Sequence, residues 1–167
     1  MIKKEKSYSC PENENSKVNS AEASPVIRFM EEKDVEQLVE MEQEIFSLPW
    51  SENDFRKLLE LSYCRYFVAT IENKVVGFAG MMELCGEGDI DKVMVAMKYR
   101  GKHIAEKLLQ QVFLQGTLDK IESYTLEVRA GNVPAIRLYE KMGFVSEGVR
   151  PGFYDCPKED ALIMWRR

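Results

Sequence analysis

The stretch Asp89-Ile90-Asp91-Lys92-Val93-Met94-Val95-Ala96-Met97-Lys98-Tyr99-Arg100-Gly101-Lys102-His103-Ile104-Ala105, continuing to Phe113, decides the fold. Its first part, about Asp89 to Val95, is a strand. Its last part is an amphipathic helix in which Ile104, Ala105, Leu108, Leu109, Val112 and Phe113 form one stripe, ending near Gly116. A short basic loop joins them. Exposed N–H groups and the helix dipole make such a junction an anion site. Arg100, Gly101 and Lys102 suit a pyrophosphate, and the same residues fit a plain basic connection equally well. No G-x-x-x-x-G-K-[ST] loop is present. No dinucleotide fingerprint is present either, because after Gly86 and Gly88 no glycine occurs before Gly101.

Working outward, Val26 to Met30 reads as a strand and Lys33 to Phe46 as a helix carrying Val35, Leu38, Val39, Ile45 and Phe46 at helical spacing. Leu48-Pro49-Trp50-Ser51 interrupts it. Ser51 with Asp54 three residues on resembles a capping box and starts a second helix to about Leu61. Strands follow at Arg65 to Ile71 and Val75 to Leu84, joined by the turn Glu72-Asn73-Lys74. Gly86-Glu87-Gly88 turns the chain into the strand quoted first. After the amphipathic helix come a strand at Ser123 to Arg129 and a helix capped by Asn132, with Pro134 in its first turn and Gly143 at its end. Phe144 to Val149 and Ala161 to Trp165 are the last strands. The predicted order is βααβββαβαββ: an α/β chain with a mixed central sheet of about six to seven strands and helices on both faces.

The 167 residues are 45% hydrophobic and 31% charged, enough to bury one core without crosslinks or metals. The net charge of −5 argues against nucleic acid as partner. No apolar run approaches the roughly 18 residues of a membrane span, and no signal peptide follows the basic N-terminus. The expected compartment is the cytoplasm. Residues 1–24 are rich in Lys, Glu, Asn and Ser, and read as a mobile N-terminal extension before a domain at 25–167. The four cysteines form no C-x-x-C pair and His103 is the sole histidine, so neither a metal site nor a histidine-based triad is expected.

The loop quoted first resembles the acetyl-CoA motif Q/R-x-x-G-x-G/A of the GNAT N-acetyltransferases. Arg100 takes its first position and Ala105 its last, while His103 stands where the pattern has its first glycine. Leu48-Pro49-Trp50-Ser51, Leu126-Glu127-Val128-Arg129-Ala130-Gly131-Asn132 and Ala135 to Phe144 resemble the RimI branch of that family. So does Arg150-Pro151-Gly152-Phe153-Tyr154 with Glu159-Asp160-Ala161. The resemblance covers Val26 to the C-terminus. It implies the GNAT fold, acetyl-CoA as donor, no metal, and the N-terminal alanine of small-subunit ribosomal protein eighteen as acceptor, with the enzyme a monomer or weak dimer.

By position, the resemblance makes Glu127 the general base and Tyr139 the general acid. Val93, Met94 and Val95 match the strand whose backbone grips the pantetheine arm. Arg100 with Gly101, Lys102, His103, Ile104, Ala105 and Glu106 matches the pyrophosphate loop, and Asn132 a cofactor-contacting asparagine. Trp50 and Tyr154 match acceptor-side residues. The residues alone leave other readings open: a salt bridge from Glu127 to Arg129 on the same strand face, a core role for Tyr139, and structural roles for Trp50 and Tyr154. Also open are a small amine or a lysine as acceptor, and a non-catalytic CoA-binding module.

The chemistry is consistent with a single carboxylate base. Removing a proton from an α-amine of pKa near 8 costs about 1 kcal/mol at pH 7, against about 4.6 kcal/mol for a lysine. A phenol near pKa 10 can serve the departing thiolate, whose free thiol lies near 8.5. The amine attacks directly, so no protein nucleophile is needed. Residues 31–60 hold ten acidic and three basic residues, a local charge of −7. These are either two solvated helix faces or, as the family implies, an acidic rim beside the acceptor.

Overall fold

The computed structural model describes residues 24–167, so the extension read over residues 1–24 lies outside them except for Ser24. Along the chain run β1 (Val26–Phe29), α1 (Val35–Ile45), α2 (Glu52–Glu60), β2 (Cys64–Ile71), β3 (Lys74–Leu84) and β4 (Glu87–Val95). Then follow α3 (Ile104–Leu118), β5 (Ser123–Arg129), α4 (Val133–Lys141), β6 (Val145–Asp155) and β7 (Lys158–Arg166). The observed order is the predicted one. The seven strands form one sheet, β1-β2-β3-β4-β5-β7-β6. Every pairing is antiparallel except β4 with β5.

Local chemistry accounts for the boundaries. Ser51 accepts from the Asp54 N–H and Asp54 returns the bond to the Ser51 N–H, closing the expected capping box. The Asn132 side chain accepts from the Ala135 N–H and starts α4. Glu72 and Asn73 both have positive φ, as a tight two-residue hairpin requires. The next turn lies one residue earlier than expected, with Cys85 and Gly86 at positive φ and Glu87 and Gly88 already in β4. Helix α3 continues past Gly116, because that glycine serves packing rather than termination. A Cβ there would lie 2.0 Å from the Tyr124 hydroxyl.

Two cores flank the sheet. Ile104, Leu108, Leu109 and Val112 of α3 pack on one face together with Leu126, Val128 and Tyr139. Val35, Leu38 and Met41 of α1 and Phe55 of α2 pack on the other with Tyr66, Val68 and Phe78. Each fully buried Leu or Phe contributes about 1.5–3 kcal/mol.

The middle of the sheet positions the site. Strands β4 and β5 pair only over Glu87–Asp89 and Ser123–Thr125. On the other flank of β4, Gly80 opposes Lys92 while Met82 opposes Asp89, so β4 carries one extra residue there. Such a bulge bends a strand. Beyond Asp89 the two central strands part, and the sheet opens between them.

Candidate active site

Glu127 lies on β5 between Leu126 and Val128, which are 1% and 5% exposed and face α3. Alternation along the strand therefore turns Glu127 to the α1–α2 side. Tyr139 reaches the same place from the opposite side, because it belongs to the α3 core and packs edge-on against Phe144. The opening in the sheet lets them meet. Both border one cavity of about 370 Å³, together with Val93, Asn132 and Tyr154.

Glu127 is in an ion pair, but with Arg150 of β6 at 3.0 Å rather than with Arg129. Arg129 is engaged elsewhere. It donates to Glu159 at 3.1 Å and to the carbonyls of Cys156 and Pro157, and its guanidinium lies 4.1 Å over the Tyr154 ring. Tyr154 in turn donates to the Glu127 main-chain carbonyl at 3.3 Å. Burial, then the neighbouring Tyr154, pushes the Tyr139 phenol above its ordinary range, so it stays protonated. Burial likewise raises Tyr154, against the pull of Arg129.

The loop before α3 has the backbone of an anion cradle. Gly101 has φ of +76°, with no atom within 4 Å of where a Cβ would stand. His103 has φ of +59° and is the residue before the first helical turn. That left-handed conformation favours glycine, and it explains the glycine of the family pattern at this position. The His103 side chain is 72% exposed and turned outward, its Nδ1 3.1 Å from Glu106. Glu106 also pairs with Lys141 of α4 at 2.7 Å. Arg100 donates to the Val95 carbonyl at 3.1 Å, which ties the loop to the end of β4. Met94 and Val95 are buried at that end.

Trp50 does not border the cavity. It packs edge-on against Phe55, and the Lys92 ammonium sits 4.0 Å over its ring. Lys92 is itself a cavity residue, paired with Glu42 of α1 at 2.5 Å. Glu42 is 0% exposed and also accepts from the Trp50 N–H at 3.3 Å. The Ser47 hydroxyl donates to the Cys156 carbonyl at 3.1 Å, joining the α1–α2 loop to the β6–β7 turn across the cavity.

Sequence reasoning missed Arg150, Glu42, Lys92 and Asp91. For Asp91 and Lys92 a signal existed: charged residues inside an otherwise apolar central strand, the same signal that singled out Glu127. Among the described residues, no group of three or more His, Cys, Asp or Glu is placed to hold a metal. No helix there is long and apolar enough to cross a membrane.

Comparison with known proteins fits this architecture. The chain is 31% identical over 140 residues to a putative ribosomal protein bS18-alanine N-acetyltransferase of Bacillus subtilis, covering 83% of this chain and 93% of that protein. The crystal structure of the ribosomal-protein-S18-alanine N-acetyltransferase from Escherichia coli matches with a TM-score of 0.78 at 28% identity, covering 85% of this chain and 92% of that one. Ard1 from Thermoplasma volcanium matches at 0.79 and 26%, over 86% and 97%. The acetyltransferase (GNAT) family model matches residues 35–144, from α1 through the cradle and Glu127 to the end of α4, and the chain belongs to that family.

Proposed function

We propose that this chain is an acetyl-CoA-dependent N-terminal acetyltransferase whose acceptor is the N-terminal alanine of ribosomal protein bS18, working in the cytoplasm. The observation that carries the reading is the convergence of Glu127 and Tyr139 on one cavity from opposite faces of the sheet. The names of relatives about 30% identical along most of their length support the acceptor.

The residues fit the donor. The open space at Gly101, the first-turn N–H groups of α3 and the basic residues Arg100 and Lys102 would hold its pyrophosphate. Residues Ile104, Ala105 and Glu106 place those N–H groups, and Val93 to Val95 offer backbone along the parted edge of β4. Asn132 borders the cavity on the α4 side.

The acceptor enters from the α1–α2 side, where Glu127 points. Its cationic amine competes with the half-exposed Arg150 for the Glu127 carboxylate. Once freed, Glu127 takes a proton from the amine. The amine nitrogen forms a bond to the acetyl carbonyl carbon, and the carbon–sulfur bond breaks. Tyr139, held protonated by burial, gives its proton to the departing sulfur and regains one from the second proton that the nitrogen sheds as the amide forms. Tyr154 bridges the β5 backbone to the acceptor wall, and Trp50 supports that wall through Lys92.

The test is mass spectrometry of acetyl transfer to a synthetic peptide with the bS18 N-terminus, beside a lysine peptide blocked at its N-terminus and a polyamine. Acetylation confined to the alanine α-amine is expected. Transfer to lysine or polyamine alone overturns the acceptor.

A further inference from the structure

Two carboxylates that line the cavity are left unused by the mechanism above, Asp91 and the exposed Asp155. Asp91 lies on β4 and lines the same cavity as Glu127. Its Oδ2 accepts from the Tyr66 hydroxyl at 2.6 Å. Tyr66 is itself fixed, stacked on Phe78 with centroids 5.3 Å apart. The other oxygen, Oδ1, is buried and has no hydrogen-bond partner. A buried carboxylate oxygen without a donor is costly and calls for one.

The surrounding charges do not supply it. On β4 itself, Lys92 is engaged by Glu42 and enclosed by Phe46 and Trp50, while Asp89 is a second acid. On β2, Tyr66 and Cys64 are neutral groups. Across the cavity, Glu127 has Arg150, Arg129 has Glu159, and Asp155 is a further acid. Among the described residues, Asp91 has no cation within ion-pair distance.

We infer that Asp91, fixed by Tyr66, is an acceptor-binding residue whose carboxylate takes the positively charged amine of the acceptor in the cavity that Glu127 also lines. The inference rests on the amine-acetylating reading above, and not on which amine is used. Tyr66 is a positioning residue that holds the carboxylate and favours its charged form.

The test uses the full chain with acetyl-CoA and three acceptors: an alanine-initiated peptide, a blocked lysine peptide and a polyamine. Steady-state constants are measured from pH 5 to 9, and acetyl-CoA affinity by calorimetry. For whichever amine the wild type acetylates, Asp91→Asn is expected to raise KM about tenfold or more, the loss of one charged hydrogen bond. Acetyl-CoA affinity and kcat stay close to wild type, as for a residue that binds the acceptor uniformly. Wild type shows an acid limb in kcat/KM that Asp91→Asn removes. Tyr66→Phe moves that limb to higher pH, because the lost O–H no longer favours the carboxylate. A structural role alone would leave the limb in place. If Asp91→Asn fails to fold, Tyr66→Phe and Asp91→Glu carry the same measurement.

An Asp91→Asn enzyme with unchanged KM and an unchanged limb overturns the inference. Wild type that acetylates only lysine or polyamine overturns the ribosomal acceptor, while Asp91 is still judged on that amine. Wild type that binds acetyl-CoA and acetylates none of the three overturns both.

Discussion

Replacing Asp91 by Asn is expected to make the folded protein more stable at pH 8 and to leave it nearly unchanged at pH 4. The side chains are the same size, and the Asn carbonyl can still accept from Tyr66. What differs is the charge. Burial, and after it the neighbouring Asp89, raises the Asp91 carboxyl from the ordinary 3.8 to about 6, against the opposing hydrogen bond from Tyr66. Between those values the folded chain keeps a proton that the unfolded chain has released. Stability is therefore lost as pH rises through that window, and the loss is complete above about pH 6. At 1.36 kcal/mol per unit, the cost approaches about 3 kcal/mol. In a domain of this size that corresponds to a rise in Tm of about 6–12 °C for Asp91→Asn at pH 8. Urea unfolding followed by tryptophan fluorescence at pH 4, 6 and 8 measures it, and subtracting one variant from the other cancels groups that titrate alike in both. An Asp91→Asn protein less stable than wild type at pH 8, or a difference that does not change with pH, would refute the reasoning. A gain in stability coupled to a weaker grip on the acceptor is the expected mark of a residue kept for function.

Glu127→Gln should lower kcat by about 10²–10⁴ while calorimetry finds acetyl-CoA affinity unchanged; full turnover at pH 7 removes Glu127 as the base. Lys92→Met strands the buried Glu42 carboxylate and should cost about 3–5 kcal/mol in equilibrium unfolding. The double variant Glu42→Leu/Lys92→Met should recover most of that loss, and a double variant no better than Lys92→Met alone would show that the pair does not act as a unit. Gly80→Ala places a Cβ 2.2 Å from the Tyr66 ring and 2.6 Å from the Arg65 carbonyl. Because one of these is backbone, a loss of about 1–3 kcal/mol in urea unfolding is expected.

The element order was legible because each signal was local: the α3 stripe, the Ser51 box, the Asn132 cap and the Glu72-Asn73 turn. The hairpin β6–β7 was read too short. Its first strand runs through Pro151 and Gly152, which break the alternation, and its register with β7 shifts between Arg150 and Tyr154. A strand at the sheet edge tolerates proline because one row of its backbone groups has no ladder to serve. The alternative pairing of Glu127 with Arg129 is not the one the structure makes, for a related reason. Arg129 shares its strand face, but Arg150 reaches Glu127 across β7, and register between distant strands is not written in any local pattern. Glu127 and Tyr139 themselves stood out from their family motif. That they can meet from opposite faces depends on the opening beside β4, where that strand carries an extra residue that no single position announces.

The acidic balance of residues 31–60 also takes a different meaning in three dimensions. Two of the ten acids are interior: Asp34 makes two 2.7 Å bonds to Arg28, and Glu42 holds Lys92. Burial opposes the Asp34 charge, yet Arg28 and the Glu31 N–H outweigh it and hold the carboxyl below its ordinary range. Those charges are spent on anchoring α1 to the sheet. Glu36, Glu40, Glu44 and Glu60 remain exposed, where solvent ions screen them beyond about 8–10 Å. Long-range attraction from such groups is weak in physiological salt. A cationic amine gains more from a carboxylate held in the wall of the cavity, where screening is slight. The selectivity for a charged acceptor therefore belongs to the parted edge of β4, at Asp91, rather than to the acidic helices above it.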